Sequence, residues 1–93
     1  MKIENKTIDI AKSETEKMKY SDLIKLEINT PINGGMTIAE MKTKMEIIAM
    51  CDDENLDFNP EQIAEIKKAN SIMRWNIMSK DLIEFSDYIN SLA

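Results

Sequence analysis

Apolar residues recur along this chain at helical spacing in its second half and thin out toward its start. Ile38, Met41, Met45 and Ile48 follow 3-4-3 spacing, which puts them on one side of a helix. Thr37-x-x-Glu40 stands before them as a capping box, with Met36 as the preceding hydrophobic residue. The spacing therefore predicts a helix from Ile38 to about Cys51 with that stripe inward. Ile47, Met50 and Cys51 fall on the opposite side. The second half of this helix is then apolar on two faces. It needs either a surrounded position or a contact outside the subunit. Asp52-Asp53-Glu54-Asn55 opposes the negative end of the helix dipole and stops it.

Leu56 and Phe58 in the next loop are expected to plug back into the core. Asn59-Pro60-Glu61-Gln62 is a second start signal: an Asn cap, Pro at the first helical position and Gln where a capping box places it. Ile63, Ile66, Asn70 and Met73 continue at 3-4-3 spacing, with Glu65, Lys67 and Lys68 toward solvent, and the helix ends within residues 72–76. Ser79 caps a last helix whose stripe is Leu82, Phe85, Ile89 and Leu92, with Tyr88 at its edge.

Earlier in the chain, Ser21 reads as the cap of a short helix, Asp22 to Ile28, that turns Leu23 and Ile24 inward and ends at Thr30-Pro31. Asn33-Gly34-Gly35 is a turn. A hairpin would need strands on both sides, and its right flank starts a helix, so a glycine loop is the preferred reading. Residues 1–19 are polar and charged, with Ile3, Ile8 and Ile10 as the main apolar points. Thr7-Ile8-Asp9-Ile10 alternates like a strand but has no evident mate. The plain expectation is a loosely ordered arm. The sharper one is an arm that orders on a partner or a second subunit.

The fold class expected is all-α: a small bundle of three main helices plus a short N-terminal one, in a single domain over 20–93, behind the polar arm 1–19. Short loops make successive long helices roughly antiparallel.

Composition mainly removes functions. The 93 residues contain no His, one Cys, two Gly and two Pro. Without His no Ser-His-Asp or Cys-His arrangement can be built, and the commonest nitrogen ligand for metals is missing. There is no GxGxxG and no GxxxxGK[ST]. No spacing singles out a carboxylate pair, so no catalytic residue is named, and the chain is read as a non-enzyme without cofactor. The longest apolar runs are far too short for a membrane span, and charges fill the start where a signal peptide needs an apolar stretch. With a single cysteine and no intramolecular disulfide, the expected setting is the cytoplasm.

The formal net charge is −5. A nucleic-acid-binding face is normally basic, so direct binding is not expected, although Lys67, Lys68 and Arg74 form a small positive segment. Residues 51–65 carry six acidic and no basic side chains. Asp53-x-Asn55-x-Asp57-x-Asn59 resembles the start of a calcium loop. Phe58 stands where that loop needs Gly and Ala64 where it needs Glu, so the stretch reads as a helix terminator leading into a cap. Cys51 follows an apolar helix and faces carboxylates, which raises a thiol pKa, so it reads as structural.

What remains are candidates for contact with a protein. Six of the eight methionines lie between residues 36 and 78, and Met serves both as core filler and as adaptable contact surface. Ile47 and Met50 mark the second face of the predicted helix 38–51. Arg74-Trp75 pairs two residue types enriched at binding hot spots, though a lone Trp at a helix end is more often a core anchor. Asp52, Asp53 and Glu54 form an acidic block that could occupy a basic groove.

Tyr20-x-Asp22-Leu23-Ile24, Pro31, Gly34-Gly35, Thr37-x-x-Glu40-Met41-Lys42 and Met73-Arg74-Trp75 carry a resemblance. Over about residues 20–90 the chain resembles small uncharacterised helical proteins encoded in bacteriophages and prophages. The resemblance implies a helical fold and a phage origin, and no reaction. The expected function is a non-enzymatic protein–protein interaction module, a small assembly or regulatory factor that self-associates as a homo-oligomer. The alternative is an inhibitor of a host complex, including one that binds nucleic acid, acting through the acidic surface.

Overall fold

A computed structural model describes residues 1–9, 17–30 and 33–92. The chain runs through β1 (Thr7–Asp9), β2 (Lys17–Lys19), α1 (Tyr20–Asn29), α2 (Ile38–Asp52), α3 (Pro60–Ile72) and α4 (Lys80–Ser91). Among the described residues it is mostly helical, with four helices and one small two-stranded sheet, so the all-α expectation holds for the body and not for the beginning.

The caps written into the sequence form as expected. Thr37 Oγ1 accepts from the Glu40 N–H at 3.1 Å, and Glu40 Oε1 accepts from the Thr37 N–H at 3.1 Å. Asn59 and Gln62 make the same exchange at 2.8 and 2.9 Å. Ser79 Oγ accepts from Leu82 N–H at 3.4 Å. Each exchange satisfies amide groups that the first helical turn leaves without partners. Gly34 and Gly35 both take positive φ, 90° and 76°, so the stretch before α2 is a glycine turn entering a helix.

The start of α1 differs from expectation. The helix begins at Tyr20, and Asp22 Oδ2 accepts from the Lys19 N–H at 3.0 Å. Ser21 is buried within the helix and its N–H donates to Asn5 Oδ1 at 2.9 Å. The expected stop at Pro31 lies outside the described residues.

The described part of the polar arm contributes Ile3 and Ile8 to the core. Ile8 in β1 pairs with Met18 in β2, antiparallel, and Thr7 with Lys19. The mate missing from the sequence reading is thus the next stretch of the arm. Ile10 and the connection between the strands lie outside the described residues. Residues 1–3 lie along the loop after α2: Ile3 N–H donates to Leu56 O at 3.1 Å, Phe58 N–H to Met1 O at 2.9 Å, and the Met1 ammonium to Phe58 O at 2.7 Å. Ile3 and Ile8 are buried with Leu23, Ile24, Ile28, Leu56, Phe58, Ile63, Ile66, Phe85 and Ile89. Tyr20 stands edge-on to Phe85, ring centres 4.9 Å apart. The plug residues Leu56 and Phe58 and the α4 stripe are buried as the sequence predicts.

Helix α2 is turned over. Ile47 is fully buried, and Lys44 and Cys51 are buried beside it. Ile38, Met41 and Met45, predicted to face inward, are 66%, 40% and 65% exposed. Lys44 lies on the buried side. Its ammonium reaches Glu65 of α3 at 3.1 Å within the helix contact, so the inward face of α2 includes a cation. Glu65, expected in solvent, is turned inward to meet it. Glu40, one turn before Lys44 on α2, pairs with Lys68 of α3 at 2.7 Å.

Candidate functional site

With α2 turned over, its outer surface exposes the apolar side chains Ile38, Met41 and Met45. Seven residues separate Ile38 from Met45, two helical turns, so both point directly away from Ile47. Ala49 is exposed on the same line and Met41 beside it, with Met36 exposed just before the helix. Lys42 and Glu46, both exposed, flank the stripe on one side. Neither has an ion-pair partner within 4 Å among the described residues.

A second apolar region lies where α3 passes into α4. Met73, Trp75, Ile77, Leu82 and Ile83 line an open groove of about 400 Å³, with Asn70 at one wall. Trp75 is half-buried and packs against the core, while Met78 at the rim is fully exposed. Asn70 Nδ2 donates to Ser86 Oγ at 3.0 Å, which joins α3 to α4 behind the groove.

The residues singled out from the sequence scatter over three places. Ile47 is in the core and offers no surface, which corrects its reading as a contact residue. Met50 is half-buried against the same core. Arg74 is exposed and Trp75 half-buried in the 73–79 stretch. Asp52, Asp53 and Glu54 lie at the end of α2, where Asp53 is the C-cap and Glu54 has a φ of 53°.

The acidic block is largely compensated within the molecule. Asp52 pairs with Lys25 and Glu54 with Lys19. Asp57 lies 3.2 Å from the Met1 ammonium. Bonding to Asp52 and Glu54 raises the pKa of Lys25 and Lys19. A surface that mimics phosphates needs uncompensated charge, and here three carboxylates already have partners. Among the described residues no group of three or more His, Cys, Asp or Glu side chains could hold a metal ion. No helix among them is long and apolar enough to cross a membrane.

Two titratable groups are strongly perturbed away from both surfaces. Burial pushes the Cys51 thiol up to about 12, with the Asp52 charge adding to it. A thiol so held is a poor nucleophile. Burial likewise raises Glu27 of α1 to about 8, and neither of its carboxylate oxygens has a hydrogen-bond partner. Glu27 was not legible as special, because an acidic residue one helical turn after Leu23 and Ile24 reads as an ordinary helix position.

The sequence reading also missed the outer α2 stripe as a surface. The signal is present in the 3-4-3 spacing, but three of its four positions, Ile38, Met41 and Met45, face outward, while Ile48 is half-buried against the core. Comparison with protein-family models, with curated proteins and with solved structures finds no match.

Proposed function

We propose that this protein is a non-enzymatic interaction module that associates with itself, a small assembly or regulatory factor of phage origin. One observation carries the reading: the outward stripe Ile38, Met41 and Met45 on α2, exposed on the side opposite the buried Ile47. An apolar side chain left in water forgoes about 1.5–3 kcal/mol of burial. Several aligned on one rigid helix make a surface that a protein contact would stabilise. The phage origin rests on the sequence resemblance.

The test is light scattering after size-exclusion chromatography, with Met45→Glu as the variant. The wild type is expected to run as an oligomer, and Met45→Glu as a monomer with an unchanged far-ultraviolet circular dichroism spectrum. A wild type that stays monomeric up to its solubility limit overturns the proposal.

A further inference from the structure

The pattern of charge beside the outer stripe of α2 fixes how two copies would meet. We infer that α2 pairs with α2 of a second copy in antiparallel orientation, so that Lys42 of each copy faces Glu46 of the other. This inference rests on the self-association proposed above and adds its surface, symmetry and register.

The argument starts from helix geometry. At 100° per residue, Ile38, Met45 and Ala49 form the outermost line of α2, opposite Ile47. Lys42 and Glu46 both lie on one side of that line, one turn apart. Met41 lies on the other side. In a parallel pair the charged side of one helix faces the Met41 side of its mate, and both charges meet apolar surface. In an antiparallel two-fold pair each side faces itself in reverse order. Lys42 then meets Glu46 of the second copy, and the contact occurs twice by symmetry.

The same register suits the apolar line. When Lys42 is level with the second copy's Glu46, Ile38 lies over Ala49 of that copy, a large side chain against a small one. Met41 and Met45 come together at the centre, where their unbranched side chains adapt to each other. The face is directly opposite the core, so the approach of a second helix is unobstructed by α1 and α3. Charge reversal gives the sharpest reading because the interface is self-complementary, and opposed charges select register and orientation.

The experiment compares the dimer dissociation constants of Lys42→Glu, Glu46→Lys and the double variant by analytical ultracentrifugation at low ionic strength, where exposed pairs are least screened. Each single change places like charges opposite each other twice and is expected to weaken the dimer about tenfold. The double swap is expected to restore it.

A second measurement reads orientation. A spin label on Asp53→Cys in a Cys51→Ser background is expected to give a separation of about 30 Å in an antiparallel pair, against roughly 10 Å in a parallel one. The charge swaps leave the core untouched, so they decide the matter even if Cys51→Ser unfolds the chain. A dimer indifferent to both swaps, or a short label distance, overturns the pairing and leaves self-association standing. A monomeric wild type overturns both.

Discussion

Lys44 and Glu65 meet 3.1 Å apart inside the contact between α2 and α3, with side chains only 4% and 12% exposed. This pair lies on the buried side of α2, beside Ile47 and Cys51. A buried ion pair adds little net stability over an apolar pair of similar volume, since desolvation offsets the attraction, but removing one partner strands a charge. Lys44→Met is therefore expected to destabilise the fold by about 3–5 kcal/mol in urea denaturation. Lys44→Met with Glu65→Leu is expected to recover most of that loss. A double variant as unstable as the single one would show that the pair contributes more than its own compensation.

The inversion of α2 separates two substitutions that the sequence treats alike. Ile47→Asp places an unpaired carboxylate at a fully buried position, a change that costs several kcal/mol. It is expected to abolish the cooperative thermal transition. Met45→Asp, only two residues away, changes a position that is 65% exposed. It is expected to leave the melting temperature of the monomer within a few degrees of wild type. Thermal melts at a concentration too low for association distinguish the two cases. Equal damage from both would place Met45 in the core.

The helices and caps were legible because their signals are local. Thr37 with Glu40, Asn59 with Gln62 and Ser79 each act within three residues, and the stripe Leu82, Phe85, Ile89 and Leu92 contains no competing apolar face. α2 was legible as a helix and not as an orientation. Apolar residues surround it, so the pattern offers two sides, and the larger one was chosen. The buried side carries, beside Ile47 and Cys51, a contact between Lys44 and Glu65, twenty-one residues apart in sequence, in which two charges are largely buried. A reading by hydrophobicity assigns both to water. The arm was legible only in part: β1 falls within the alternating stretch Thr7-Ile8-Asp9-Ile10, while the partners of the arm were not legible. Ile3 and Ile8 were visible as apolar points, but their mates, Leu56 and β2, are set by long-range pairing. The candidate contact residues followed from the orientation of α2, so Ile47 fell with it, and Ile38, Met41 and Met45 took its place.

The arm supplies the next expectation. Ile3 and Ile8 are each 5% exposed, and residues 1–3 bond along the loop that carries Leu56 and Phe58. Ile→Ala at a buried position costs about 2–5 kcal/mol. Ile3→Ala and Ile8→Ala are each expected to lower stability by that order in urea denaturation, and removal of residues 1–9 to leave no cooperative transition. A loose arm would tolerate all three changes.

Glu27 makes stability fall as pH rises from about 4.5 to about 8. Its carboxyl is buried without a hydrogen-bond partner, and burial raises its pKa to about 8 from 4.5. Below about pH 4.5 the group is protonated whether the chain is folded or not, and it contributes no slope. Between 4.5 and 8 the unfolded chain releases the proton while the folded one keeps it, so stability falls as pH rises. Above about 8 both states are ionised and the loss is complete, on the order of a few kcal/mol. Glu40 acts at the other end of the scale. Its bonds to Lys68 and Thr37 lower its pKa to about 2, so the stability it lends is present above about 4.5 and lost as pH falls toward 2. Glu27→Gln removes the ionisation and keeps the shape. It is expected to match wild type near pH 4.5, to exceed it by a margin that grows up to about pH 8 and to keep that margin above, as read by urea midpoints across the range. Parallel pH profiles for the two proteins would mean that the Glu27 carboxylate is solvated in the native state.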